Sequence, residues 1–161
     1  MRLPLIASIA VVLAGAAPAA APPPLDMTAF FTGRTHAENV LKIVFKRPAR
    51  LVVDSLGRTD GKAFLLVDTV HEEGKPVRVR KWVMEPSAVN RFTGTLSDAV
   101  GPVAVTVAGH EATIRYTMKG GLNVDQRLQL LGDGRTLANR VAVRKFGLKF
   151  ATVEGNIRKL D

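Results

Sequence analysis

Cysteine is absent from all 161 residues. Without it there is no disulfide, no thiol nucleophile and no thiolate metal ligand, so the fold must be held by core burial alone. Aromatic residues are also scarce, at 6% with one Trp and one Tyr, too few for the stacking platforms of single-stranded nucleic-acid binders. No long stretch repeats apolar residues at helical spacing, and strands do not alternate with helices. Catalytic signatures are missing in the same way. There is no Gly-x-Ser-x-Gly elbow, and past the N-terminal leader the only serines are Ser55, Ser87 and Ser97. His36, His71 and His110 are scattered without His-Glu-x-x-His spacing, and His71-Glu72-Glu73 falls at a hairpin end. The glycines flank strands rather than opening helices, which excludes a phosphate loop. These absences predict a protein that is not an enzyme and takes neither a metal nor a cofactor.

What is present begins with a leader. Arg2, the apolar run Leu3–Ala14 and small residues at Gly15, Ala16, Ala17 and Ala19 have the form of a secretory signal. The apolar run falls short of the roughly 20 residues a bilayer-spanning helix needs, so cleavage after Ala19 is expected. Residues 20–25, with three consecutive prolines, read as a short stiff spacer, and residues 26–161 as one domain. The expected location is the periplasm. Leu13-Ala-Gly-Ala16 places Ala where a lipidated Cys would stand, so no acyl anchor is expected there.

The formal charge is +9, an excess that favours anionic surfaces such as lipid head groups. Nucleic acid is not expected as a partner. The cations are spread along many segments, with Arg78-Val-Arg-Lys81 and Arg144-Lys145 among the few tight groups.

From Gly33 onward the chain reads as strand after strand with turn residues between. Asp60-Gly61, Ser97-Asp98 with Gly101-Pro102, Gly109-His110, Gly120-Gly121 and Gly132-Asp133-Gly134 each mark a reversal. About ten strands are predicted, with Leu51 and Val53 sharing a face on the second and Leu65 and Val67 on the third. Arg78, Arg80, Trp82 and Met84 share a face on the fourth. The fold class is all-β, an antiparallel up-and-down, lipocalin-like barrel, with a two-sheet β-sandwich as the alternative. Asp26 is a candidate N-cap ahead of a short helical turn, and Phe30 and Phe31 are candidate plugs for one end of the core.

Six residues are candidates for contact with a ligand. On the ninth strand Leu137, Val141 and Val143 define an apolar face that also carries Asn139 and, near the strand end, Lys145. A buried Asn needs a hydrogen-bond partner and a buried Lys a counter-charge or a rim position. Arg34 opens the first strand, where it could hydrogen-bond carbonyls at a barrel end or pair with Asp98. Arg80, Trp82 and Tyr116 are expected inside the barrel or at its rim.

Phe31-Thr-Gly-Arg-Thr35, Arg91-Phe-Thr-Gly-Thr-Leu-Ser-Asp-Ala-Val-Gly101, Ile114-Arg-Tyr-Thr-Met118 and Ala138-Asn-Arg-Val-Ala-Val-Arg-Lys-Phe-Gly147 resemble the domain of unknown function 3833 family. The likeness spans Leu25 to Lys159. It implies a small envelope protein of Gram-negative bacteria with a lipocalin-like barrel and no established activity, commonly tethered as a lipoprotein and encoded near enzymes that modify fatty acyl chains. Two functions are therefore expected. One is a barrel that binds an apolar ligand such as a fatty acyl chain or lipid. The other is a structural or accessory module with a filled barrel, binding a protein or an anionic lipid surface.

Overall fold

The computed structural model describes residues 21–161, and the leader expected at Met1–Ala19 lies outside the described residues. One short helix, α1 (Met27–Phe31), precedes ten strands. These are β1 (Gly33–Ile43), β2 (Ala49–Asp60), β3 (Ala63–Glu72), β4 (Arg78–Ala88), β5 (Arg91–Leu96), β6 (Ala99–Ala108), β7 (Glu111–Met118), β8 (Leu122–Leu130), β9 (Thr136–Lys145) and β10 (Leu148–Lys159). Every strand pairs antiparallel with its sequence neighbour, and β1 also pairs with β10. The sheet thus closes into an up-and-down barrel with no unpaired edge, which rules out the sandwich.

Alternation of side chains sets which residues face inward. Val103, Val105 and Val107 of β6 and Ala112, Ile114 and Tyr116 of β7 are buried, while their β6 neighbours Ala104, Thr106 and Ala108 are exposed. Three sequence readings shift. On β3 the inward set is Phe64, Leu66, Asp68 and Val70, not Leu65 and Val67. The hairpin loop between β2 and β3 is Gly61-Lys62, one residue later than expected, with Asp60 paired to Ala63 and Gly61 at φ 60°. Gly101-Pro102, expected within a reversal, lies inside β6, which already starts at Ala99, because the pair is absorbed as an irregularity within the strand pairing. A bulge accommodates Pro there without ending the sheet.

Since β1 starts beside α1, the even-to-odd turns lie at the helix end, and the odd-to-even turns ring the opposite end, called the mouth here. α1 is the plug. Asp26 accepts a hydrogen bond from the Ala29 amide at 2.9 Å, capping the helix as expected, and Phe30 and Phe31 are buried. Lys159, the last residue of β10, donates its ammonium to the carbonyls of Phe30 at 3.1 Å and Thr32 at 2.5 Å. Leu25 is also buried, and its amide donates to the Gly109 carbonyl at 2.8 Å, so the last residue of the proline-rich stretch is docked on the barrel. Gly57 makes the plug possible, because a Cβ at that position would run into the Phe31 carbonyl.

Candidate functional site

Between plug and mouth the barrel encloses a cavity of about 340 Å³. Met27 and Phe31 floor it at the plug end, and Leu41, Ile43, Val143 and Phe150 lead out towards the mouth. Most of the wall is aliphatic or aromatic; Thr28 at the plug end and the Glu72–Arg78 ion pair at the mouth are polar, and two hydrogen-bonded groups interrupt the wall between them.

The first is built from β2, β3, β4, β7 and the turn between β5 and β6. Asp68 is 6% exposed and accepts from the Ser55 hydroxyl and the Trp82 indole N–H, both at 2.7 Å. Burial raises the pKa of Asp68, against the opposing pull of those two hydrogen bonds and of the Arg80 charge. Arg80 donates through Nε to Asp98 at 3.0 Å and through Nη2 to the Tyr116 hydroxyl at 3.1 Å. Burial works against its charge, but Tyr116 and Asp98 outweigh burial and hold its pKa above the ordinary value. The guanidinium carbon also lies 5.3 Å from the centre of the Trp82 ring and 5.7 Å from that of Tyr116, and the two rings meet edge to face at 5.7 Å.

The second group is a row of amides. Gln126 donates to Asn139 at 2.8 Å, Asn139 donates to Asn39 at 3.0 Å, and Asn39 reaches the Leu51 carbonyl at 3.4 Å. Asn139 is on β9 and Asn39 on β1, with β10 between them, and Gly155 is the residue paired with both. A Cβ at Gly155 would lie 2.7 Å from the Asn39 side-chain oxygen, so glycine is what lets the two amides meet across an intervening strand.

Of the six candidates, Arg80, Trp82, Tyr116 and Asn139 line the cavity. Arg34 and Lys145 stand apart from it. Arg34 is exposed at the plug end, where its Nε donates to Asp161 at 3.2 Å, and Asp98 is taken by Arg80 instead. Lys145 ends β9 at the mouth, exposed, its ammonium 5.7 Å from the centre of the Phe146 ring. Asp68, Ser55, Asn39 and Gln126 are among the polar lining residues that were not candidates, as are Glu72, Arg78 and Asp98. Gln126 was recoverable, since it shares strand phase with Leu122, Val124 and Leu128. Asp68 was hidden by the inverted phase on β3. Among the described residues no three His, Asp or Glu side chains gather as a metal site.

The barrel is similar in fold to solved structures at low identity. Rv2717c from M. tuberculosis superposes with a TM-score of 0.60 at 12% identity, covering 83% of this chain and 94% of that one. A protein of unknown function from the DUF3598 family of Nostoc punctiforme gives 0.59 at 10% identity, over 92% of this chain and 53% of that one. Both likenesses concern the fold. No curated protein matches the sequence. The family model described as protein of unknown function (DUF3833) matches residues 12–159, nearly the whole chain, and the protein belongs to that family.

Proposed function

We propose that this protein is an exported, non-enzymatic barrel that binds one small apolar ligand, such as a fatty acyl chain, with its polar end at Tyr116. The observation that carries this reading is the cavity. Its volume of about 340 Å³ lies at the lower end of the roughly 300–1,000 Å³ typical of ligand pockets. Its wall is mainly apolar with a few converging polar groups, the pattern expected of such sites. A filled barrel serving only as an accessory module would not leave this space. The polar end is matched to an acceptor. Tyr116 uses its oxygen to receive the Arg80 bond and keeps its own O–H to donate. Arg80 and Asp98 offset each other's charge, so a carbonyl or other uncharged acceptor suits the position better than a second anion.

Trp82 is the only tryptophan and lines the cavity, so its emission reports occupancy directly. Titration with medium-chain fatty acids and their methyl esters should change that emission saturably, with a one-to-one complex in native mass spectrometry. Tyr116→Phe should weaken binding roughly fivefold, the loss of one net hydrogen bond of about 1 kcal/mol. Failure of all such ligands to bind, with none co-purifying from the native periplasm, would overturn the reading.

A further inference from the structure

The mouth of the barrel is strongly asymmetric. The β1–β2 and β9–β10 hairpins are neighbours, because β1 pairs with β10 up to Ile43 and Ala151 and the Val44 amide donates to the Phe150 carbonyl at 3.1 Å. Across residues 39–53 and 139–153 these hairpins hold eight Lys and Arg and no Asp or Glu, so nearly all of the chain's formal +9 resides on them. Lys42, Lys46, Arg47, Lys145 and Lys149 are exposed there, and none joins an ion pair among the described residues. The neighbouring β3–β4 turn is charge-balanced, with Glu72 and Glu73 set against Lys75 and Arg78.

Phenylalanine tops both basic hairpins. Phe45 is 103% exposed and Phe146 is 91% exposed. Both hold left-handed backbone, φ 61° and 51°, a conformation that Asn or Gly adopts far more cheaply than a bulky residue. Leu148, also exposed, adds to the same lip, and Ile43 and Phe150 carry its apolar surface into the cavity.

We propose that this lip is a docking surface for an anionic lipid bilayer. Exposed aromatic tips ringed by unpaired cations match the boundary between acyl chains and anionic head groups, where each suitably placed Lys or Arg contributes roughly 1 kcal/mol. Docked this way, the barrel turns its open end to the lipid and its plug to water. The docking does not depend on what the cavity holds, since vesicles alone test it.

The absence of cysteine allows a single polarity-sensitive dye at Leu148→Cys on the lip or, as control, at Lys62→Cys in the β2–β3 turn at the plug end. With the mature chain from Ala20 onward, vesicles of phosphatidylglycerol in phosphatidylcholine should blue-shift the dye at position 148 and leave position 62 unchanged. Raising salt from about 0.1 to about 1 M, which cuts the screening length from about 10 to about 3 Å, should reverse the shift. Lys46→Gln with Lys145→Gln should weaken the response roughly 25-fold, at about fivefold per cation. Phe45→Asn with Phe146→Asn should weaken it roughly tenfold or more while leaving the barrel folded, because Asn suits both turns. Any of three results overturns the proposal: no shift at 148, an equal shift at 62, or an equal shift with pure phosphatidylcholine. A lip that instead pairs with a second copy, seen as a concentration-dependent dimer abolished by Phe45→Asn, overturns it as well.

Discussion

Both ends of the barrel present a pair of phenylalanines, and the two pairs are treated oppositely. At the plug, Phe30 and Phe31 are 5% and 7% exposed and stack edge to face 5.1 Å apart. The groups around them are paired: Asp26 with the Ala29 amide, Lys159 with the helix carbonyls, Asp161 with Arg34, and Asp133 with Thr136. At the mouth, Phe45 and Phe146 are exposed in left-handed turns among cations that form no ion pair among the described residues, Lys145 lying over the Phe146 ring. Folding stability accounts for the first arrangement and not for the second. An end that costs stability in exchange for exposed apolar and basic surface is what the proposed docking to a bilayer requires.

The largest effect should come from breaking the plug. Phe31→Ala removes a buried ring that both closes the barrel and floors the cavity, and should cost about 3–5 kcal/mol in urea unfolding. Phe45→Ala at the mouth should fall within about 0.5 kcal/mol of the parent, as an exposed substitution does. Equal losses at the two ends would erase the distinction between them.

The amide row comes next. Asn139→Leu leaves Gln126 without its acceptor and the Asn39 oxygen without its donor, and should lower stability by about 1–3 kcal/mol. Acyl binding should survive, because Asn139 bonds to its neighbouring amides rather than to the polar end at Tyr116. Unchanged stability with lost binding would move Asn139 from the scaffold to the site.

How much of this could be read from the sequence depended on strand phase. Wherever apolar residues alternated clearly, as on β4 and β9, the inward positions of Arg80, Trp82 and Asn139 followed directly. On β3 the run Phe64-Leu-Leu-Val67 is apolar on both faces, and alternation cannot orient such a segment. With the phase inverted, Asp68 pointed the wrong way, and the partner of Trp82 was lost with it. Contacts made by closure were beyond reach for a different reason. Asn39 and Asn139 are 100 residues apart, and only the β1–β10 pairing together with Gly155 brings them together. The exposed phenylalanines were missed because Phe45 and Phe146 read as strand ends, and nothing local in the sequence announces a left-handed phenylalanine.

A smaller effect should appear at the mouth itself. Phe45→Asn and Phe146→Asn each relieve a left-handed bulky residue and should raise stability by about 1 kcal/mol. The same variants are expected to lose vesicle binding, so stability and docking should move in opposite directions. A loss of stability would mean that these rings pack against the barrel and are not free tips.

The smallest effect is one of pH, and its sign differs between the plug end and the cavity wall. Asp133 is held below its ordinary pKa first by the Thr136 hydroxyl, and Asp161 first by the Arg34 amide. A carboxylate of this kind contributes stability above its unfolded pKa and loses it as pH falls through the lowered folded value. Asp68 behaves in reverse. Its folded pKa lies above 3.8 because of burial, so the folded state takes up the proton more readily than the unfolded one. Its contribution is therefore most favourable below 3.8 and falls as pH rises through the folded value. Asp68→Asn keeps an acceptor for the Trp82 indole while removing the titration. Above the raised pKa, the urea midpoint of the parent should lie lower relative to Asp68→Asn than it does at more acidic pH, while both chains keep the acid loss set by Asp133 and Asp161. Parallel midpoint-against-pH curves would mean that Asp68 titrates alike in the folded and unfolded chains, and the carboxyl at the centre of the polar wall would then be fully compensated by Ser55, Trp82 and Arg80.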